Sequence, residues 1–265
     1  MSESLTLANH FRGKKALIVG VANERSLAWA IAQQLHAGGA EMGYTYVGDS
    51  LERRVRPLAE STQATLIEPC DVSNDEQIAA LFEKISQKWG SLDILIHSVA
   101  FANKEDLEGR FVSTSRAGFH LALDVSAYSL IALARHAEPL MEKSGGGSIV
   151  TLSYYGAEKV VQNYNIMGVA KAALESSVRY LAADLGSKKI RVNAVSAGPV
   201  KTLAAAGIRG FREMLSSAGD KTPMKETIDA SDVGALGAFL CSPMSRHITG
   251  STMYVDSGAH ILAGT

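Results

Sequence analysis

KALIVGVANERSLAWAIAQQLHAGGAEMGYTYV (15–47) reads as strand, helix and strand in immediate succession. KALIVG (15–20) and EMGYTYV (41–47) are apolar and β-rich, and SLAWAIAQQLHAGG (26–39) between them is amphipathic and closes on glycine. The alternation continues outward through ATLIEP (64–69), LDILIHS (92–98), GSIVTLS (147–153), IRVNAVSAG (190–198) and STMYVD (251–256). In DEQIAALFEKISQKWG (75–90), Ile78, Leu81, Phe82 and Ile85 recur at helical spacing. Several strand runs are apolar at consecutive positions, as parallel strands covered on both faces require. The predicted fold is therefore α/β, a doubly wound parallel sheet of about seven strands.

Nothing in the composition marks a second domain: no Pro- or Ser-rich linker, no repeat, no change of character along the chain. We expect one Rossmann-type domain over 1–265. The irregular stretch at about 199–230 is too long for an ordinary connection and reads as a substrate lid. The 26 basic and 27 acidic residues leave a net charge of −1, which argues against nucleic acid as a partner. Cys70 and Cys241 stand far apart with no neighbouring ligand, so neither a disulfide framework nor a metal site is expected, and free thiols suit a reducing compartment. MSESLTLANHFRGKK has no apolar core segment, and no run of about 18 apolar residues occurs. A soluble cytoplasmic protein without a membrane span is the expectation.

On such a sheet a ligand lies beyond the carboxyl ends of the strands, where the strand order reverses. Gly20 ends the first strand and lets the backbone approach a pyrophosphate, and a helix from about Ser26 would aim free amides at it. Ser26 is also a sound N-cap, and the loop alone, without a G-x-G-x-x-G pattern, does not specify a cofactor. Asp71 in CDV (70–72) could accept from an adenine amino group or cap the helix that follows. SVAFAN (98–103) offers small residues for a flat ring, and SAGPVKT (196–202) leaves free amides after Pro199. Beyond the fifth strand, the apolar spacing predicts a helix from Tyr164 to Leu185. Tyr164 and Lys171 would then stand two turns apart on one face, within about 20°. An ammonium there would hold ribose hydroxyls and favour a tyrosinate, while the phenol would bond a substrate carbonyl. A half-buried tyrosine beside a solvated lysine is the plainer alternative. Tyr155 and Lys159 form a second pair, but Gly156 follows at once and the pair falls in a turn.

Together these motifs resemble the short-chain-dehydrogenase-type enoyl-acyl-carrier-protein reductases from about Gly13 to Ala263. Gly20-x5-Ser26-x-Ala28, CDV (70–72), SVAFA (98–102), LSYYG (152–156), NYNIMGVAKAALE (163–175), RVNAVSAGPVKTLAAAGI (191–208) and YVDSG (254–258) carry the likeness in order. The resemblance implies catalytic roles for Tyr154, Tyr164 and Lys171, with Lys171 on the nicotinamide ribose. It places Gly20, Ser26 and Leu27 at the pyrophosphate, Val47, Asp71 and Val72 at the adenosine, and Val99 near the cofactor. Val200, Lys201, Thr202, Leu203 and Ala204 would close over the nicotinamide. Ala102, Tyr154, Tyr164, Ile208 and Phe211 would meet the substrate, the last two on a helical lid. No metal is implied. The implied partners are acyl carrier protein and three further copies of the chain in a homotetramer.

Tyr46-Val47-Gly48-Asp49 after the second strand is neutral to acidic, which favours NADH; Arg53 and Arg54 would reach the extra phosphate of NADPH or lie solvated. Val47 departs from the polar residue expected there. Two other readings share the fold: a short-chain ketoreductase or alcohol dehydrogenase, and a non-catalytic NAD(P)-binding sensor. The Tyr-x6-Lys spacing, with Tyr154 in place of a catalytic serine, argues against the ketoreductase.

Overall fold

The computed structural model describes residues 9–200, 202 and 219–262. Seven parallel strands form one sheet: β1 (Lys15–Val19), β2 (Glu41–Tyr46), β3 (Leu66–Pro69), β4 (Ile94–His97), β5 (Gly147–Ser153), β6 (Ile190–Ala197) and β7 (Thr252–Val255). Their spatial order is β3-β2-β1-β4-β5-β6-β7, so the order reverses between β1 and β4. All seven expected strands form, each within its predicted run.

Each strand buries side chains on both faces, which explains the unbroken apolar runs. In β1, Leu17 and Val19 join the core on one side, and Ala16 and Ile18 join the core on the other. The first core is closed by α3 (Asp75–Trp89), α6 (Ser129–Lys143) and α7 (Ile166–Leu185). The second is closed by α1 (Leu27–Ala37), α2 (Gly48–Ser61) and α8 (Ala230–Cys241). Two short helices, α4 (Lys104–Leu107) and α5 (Arg116–Leu123), lie between β4 and α6.

A π-helical turn at Asp124–Tyr128 joins α5 to α6, so that Arg116–Lys143 runs as one long element. By length and composition it is the one helix among the described residues able to cross a membrane, although polar residues interrupt its apolar run. More than half of its most apolar window, 56%, is buried inside the protein, with Leu130, Leu133 and Leu140 in the first core.

Candidate active site

The site grows from the strand ends at the order reversal. Gly20 follows β1 with φ +107°, and a Cβ there would stand 2.1 Å from the Ser98 carbonyl oxygen. Only glycine fits this crossing of β1 and β4. Ser26 occupies the N-cap position of α1, but its hydroxyl turns back: Oγ accepts from the amides of Ala22 at 3.0 Å and Asn23 at 3.1 Å. Its side chain therefore shapes the loop and leaves the first turn of α1 without a side-chain cap. A cradle of this kind, glycine below and helix amides open above, fits a pyrophosphate.

Asp71 is not the helix cap. Asn74 caps α3 by accepting from Gln77 N at 3.0 Å, while Asp71 Oδ1 accepts from the amide and hydroxyl of Ser73 at 3.0 and 2.7 Å. Val72 packs its side chain into the core, so a ligand would meet it through the backbone. Leu27 opens α1 against the second core and Val99 lies against the first. Val47 is half exposed before α2. Val200 and Thr202 are half-buried beyond β6; Lys201, Leu203, Ala204, Ile208 and Phe211 lie outside the described residues.

Tyr164 does not start the long helix. It sits in the turn ahead of α7, between Asn163 at φ +59° and Asn165 at φ +35°. Asparagine tolerates such backbone better than other side chains do, and this interrupts the apolar spacing that suggested continuous helix. Asn165 also ties the turn to the loop opposite, donating through Nδ2 to Leu107 O at 2.9 Å and Gly109 O at 3.3 Å. Tyr164 is buried, and the Tyr154 ring meets it edge to face with centroids 5.1 Å apart. Such a pair is worth about 0.5–1.5 kcal/mol beyond its area. Gly156 makes the packing possible, since a Cβ there would lie 2.7 Å from Tyr164 Cδ1. Ala102 packs on the same cluster, with Met167 and Ala170.

Lys171 is buried on α7 and its Nζ donates to the carbonyl of Leu152, near the end of β5, at 2.8 Å. Burial pushes its pKa down to about 8, against the pull of Glu175. The ammonium therefore dominates at neutral pH and is lost as pH rises through that value. Burial first, and then Glu175, push the Tyr164 phenol well above its ordinary range. This reverses the expectation of a tyrosinate: with so much desolvation Tyr164 is a neutral O–H donor. Tyr154 is raised in the same direction, chiefly by burial. The other pair points elsewhere, since Lys159 Nζ donates to His260 O at 2.6 Å and Leu262 O at 3.1 Å.

Three residues around the site had no role in the sequence reading. His97 ends β4 fully buried, with Nδ1 2.8 Å from Thr151 Oγ1 and Nε2 2.8 Å from Ser129 Oγ. Ser129 Oγ donates to Val125 O at 2.7 Å, so it accepts from Nε2–H, and Thr151 donates to Nδ1. Ser126, in the π-helical turn, accepts from Phe101 N at 3.0 Å and holds the loop after β4. Glu175 is buried one turn beyond Lys171 and accepts from Ser153 Oγ at 2.5 Å. Each looks ordinary in sequence, because burial by another element is what makes it special.

The family model described as enoyl-(acyl carrier protein) reductase matches residues 20–260. The chain belongs to the enoyl-acyl-carrier-protein reductase family. A relative from Nostoc sp., described as an NADH-dependent enoyl-acyl-carrier-protein reductase, is 53% identical over 94% of this chain and 97% of its own. The Anaplasma phagocytophilum reductase, solved in complex with NAD, superposes with a TM-score of 0.92 at 49% identity, covering 97% of each chain. The Bacillus cereus reductase, solved with NADP+ and indole naphthyridinone, gives 0.92 at 50% identity over 95% of this chain and 98% of that one. The reductase family thus accounts for the fold and for the order of the motifs.

Proposed function

We propose that the chain reduces a trans-2-enoyl thioester carried by acyl carrier protein to the saturated acyl thioester, an oxidoreductase step of fatty-acid synthesis. The observation that carries the reading is the packed Tyr154–Tyr164 pair beside the buried Lys171, at the carboxyl ends of β4 and β5. Gly20, Ser26 and Leu27 would hold the cofactor's pyrophosphate. Val47, Asp71 and the backbone of Val72 would meet its adenosine, and Val99, Val200, Lys201, Thr202, Leu203 and Ala204 its nicotinamide end. Lys171 would grip the nicotinamide ribose.

When bound, NADH supplies the hydride that adds to the β-carbon of the enoyl group. The residues of this chain manage the charge that results. Electron density moves onto the thioester oxygen, where the neutral Tyr164 hydroxyl would donate a hydrogen bond. Such a bond strengthens as charge develops, so it lowers the barrier more than it tightens the substrate. A proton drawn ultimately from water then adds to the α-carbon to give the saturated thioester. Tyr154 and Ala102 shape the floor on which the enoyl group lies. Burial pushes the Cys70 thiol up to about 11 and the Cys241 thiol to about 12, so neither serves as a thiolate nucleophile.

The cofactor is NADH. On α2, Arg56 is bound to Glu52 at 2.5 Å, while Arg53 and Arg54 are exposed on the same helix. The expected assembly is a single domain with its lid at about 199–230, in a cytoplasmic homotetramer. Loss of NADH absorbance with a trans-2-enoyl thioester tests the reading. Consumption that requires the enoyl group and runs faster with NADH than with NADPH is the expected result. Turnover of a 3-ketoacyl thioester alone would make the chain a ketoreductase, and NADH binding without turnover would favour a sensor.

A further inference from the structure

Glu175 stands one helical turn after Lys171 on α7 and is only 7% exposed, a rare place for a carboxylate. Adjacent residues at the end of β5 hold the two side chains. The Leu152 carbonyl accepts from Lys171 Nζ, and the Ser153 hydroxyl donates to Glu175 Oε1. A carboxylate fixed at this point acts on both groups the reaction uses. We propose that Glu175 is a positioning residue whose buried carboxylate, anchored beside Lys171 at the end of β5, holds Lys171 as the ammonium ion that grips the cofactor. The inference rests on the enoyl-reductase reading and deepens it.

An opposite charge favours the charged form of a lysine, and a like charge disfavours a tyrosinate. In a buried setting both effects outweigh what the same separation would give in water. Burial alone drives Lys171 towards the neutral amine, and Glu175 opposes it. The groups facing the pair come from several elements. His97 reaches in from β4, and burial pushes its pKa down to about 3, so its neutral ring adds no charge. Burial first, and then Glu158 in the turn after β5, raise the Glu175 pKa above its ordinary value, and Glu158 is itself bonded by Tyr254 of β7. Ser153, Arg179 further along α7, and Lys171 itself hold Glu175 towards the carboxylate.

Glu175→Gln isolates the charge, because its amide oxygen still accepts from Ser153. The readout is NADH affinity by fluorescence titration from about pH 6.5 to about 9.5, which needs no chemical turnover. The expected result is that the alkaline fall in affinity begins about one pH unit lower than in the wild type. Binding then stays close to wild type at the acid end and is up to about tenfold weaker above about pH 8. A superimposable profile, or a loss equal at every pH as a packing defect would give, overturns the proposal. Lys171→Arg is the second variant, since its guanidinium stays charged throughout. It should abolish the alkaline fall, and persistence of that fall overturns the proposal as well. Wild-type turnover of the enoyl thioester is measured alongside. Its absence would refute the enoyl-reductase reading, whereas the binding profiles decide the part played by Glu175.

Discussion

Tyr164 owes its place to its immediate neighbours. Two asparagines with positive φ lift it out of the helix, Gly156 makes room for its ring, and Tyr154 fixes the ring edge to face. The phenol ring is held by packing, so removing its hydroxyl should leave the pocket intact and subtract only the proposed hydrogen bond to the developing charge. Tyr164→Phe should lower kcat about 10²–10³-fold, the usual cost of one such donor, with little change in NADH affinity. Steady-state rates together with an NADH titration check this. A wild-type rate would remove Tyr164 from the mechanism. The helical spacing from Tyr164 onwards was legible as a pattern, but the break in it was not, because asparagine carries no signal for which side of φ it will take. Nothing in the sequence around Glu175 marks it out. In ALESSVRY a buried carboxylate and a solvated one look alike, and only the end of β5 tells them apart.

At the scale of elements, the fold was largely readable because parallel strands buried on both faces leave long apolar runs. What could not be read was how elements share polar groups beneath the site. His97 is the clearest case: it links β4 to β5 through Thr151 and to α6 through Ser129, although its sequence context is an ordinary strand end. Burial is the first cause and Lys171 the second of its pKa falling from 6.5 to about 3. The folded protein therefore refuses a proton that the unfolded chain accepts below about 6.5. Stability from this group is complete above that pH and is lost as pH falls towards the folded value. Moving from about pH 7 to about pH 5 should cost the wild type about 2 kcal/mol through His97. His97→Gln should be less stable at neutral pH but flatter across this range by about that amount. Urea denaturation of both proteins at the two pH values is the check, and parallel pH dependence would refute the buried neutral imidazole.

For the whole molecule, the reversal of strand order between β1 and β4 sets Gly20 against Ser98 and places the proposed cofactor cradle there. β5 and α7 then bring Tyr154, Tyr164 and Lys171 to the neighbouring strand end. The proposed division of labour follows from this layout: the carboxyl ends of β1 and β4 would hold the cofactor, and the turn ahead of α7 would face the reacting thioester. The central claim is that hydride passes to the β-carbon while Tyr164 holds the thioester oxygen. The most direct test uses NADH dideuterated at the nicotinamide C4, with a trans-2-enoyl thioester, and locates the label by mass spectrometry of the product. One deuterium on the β-carbon of a saturated thioester is the result predicted. Deuterium on the α-carbon, or consumption of NADH without label in the acyl chain, would contradict the account.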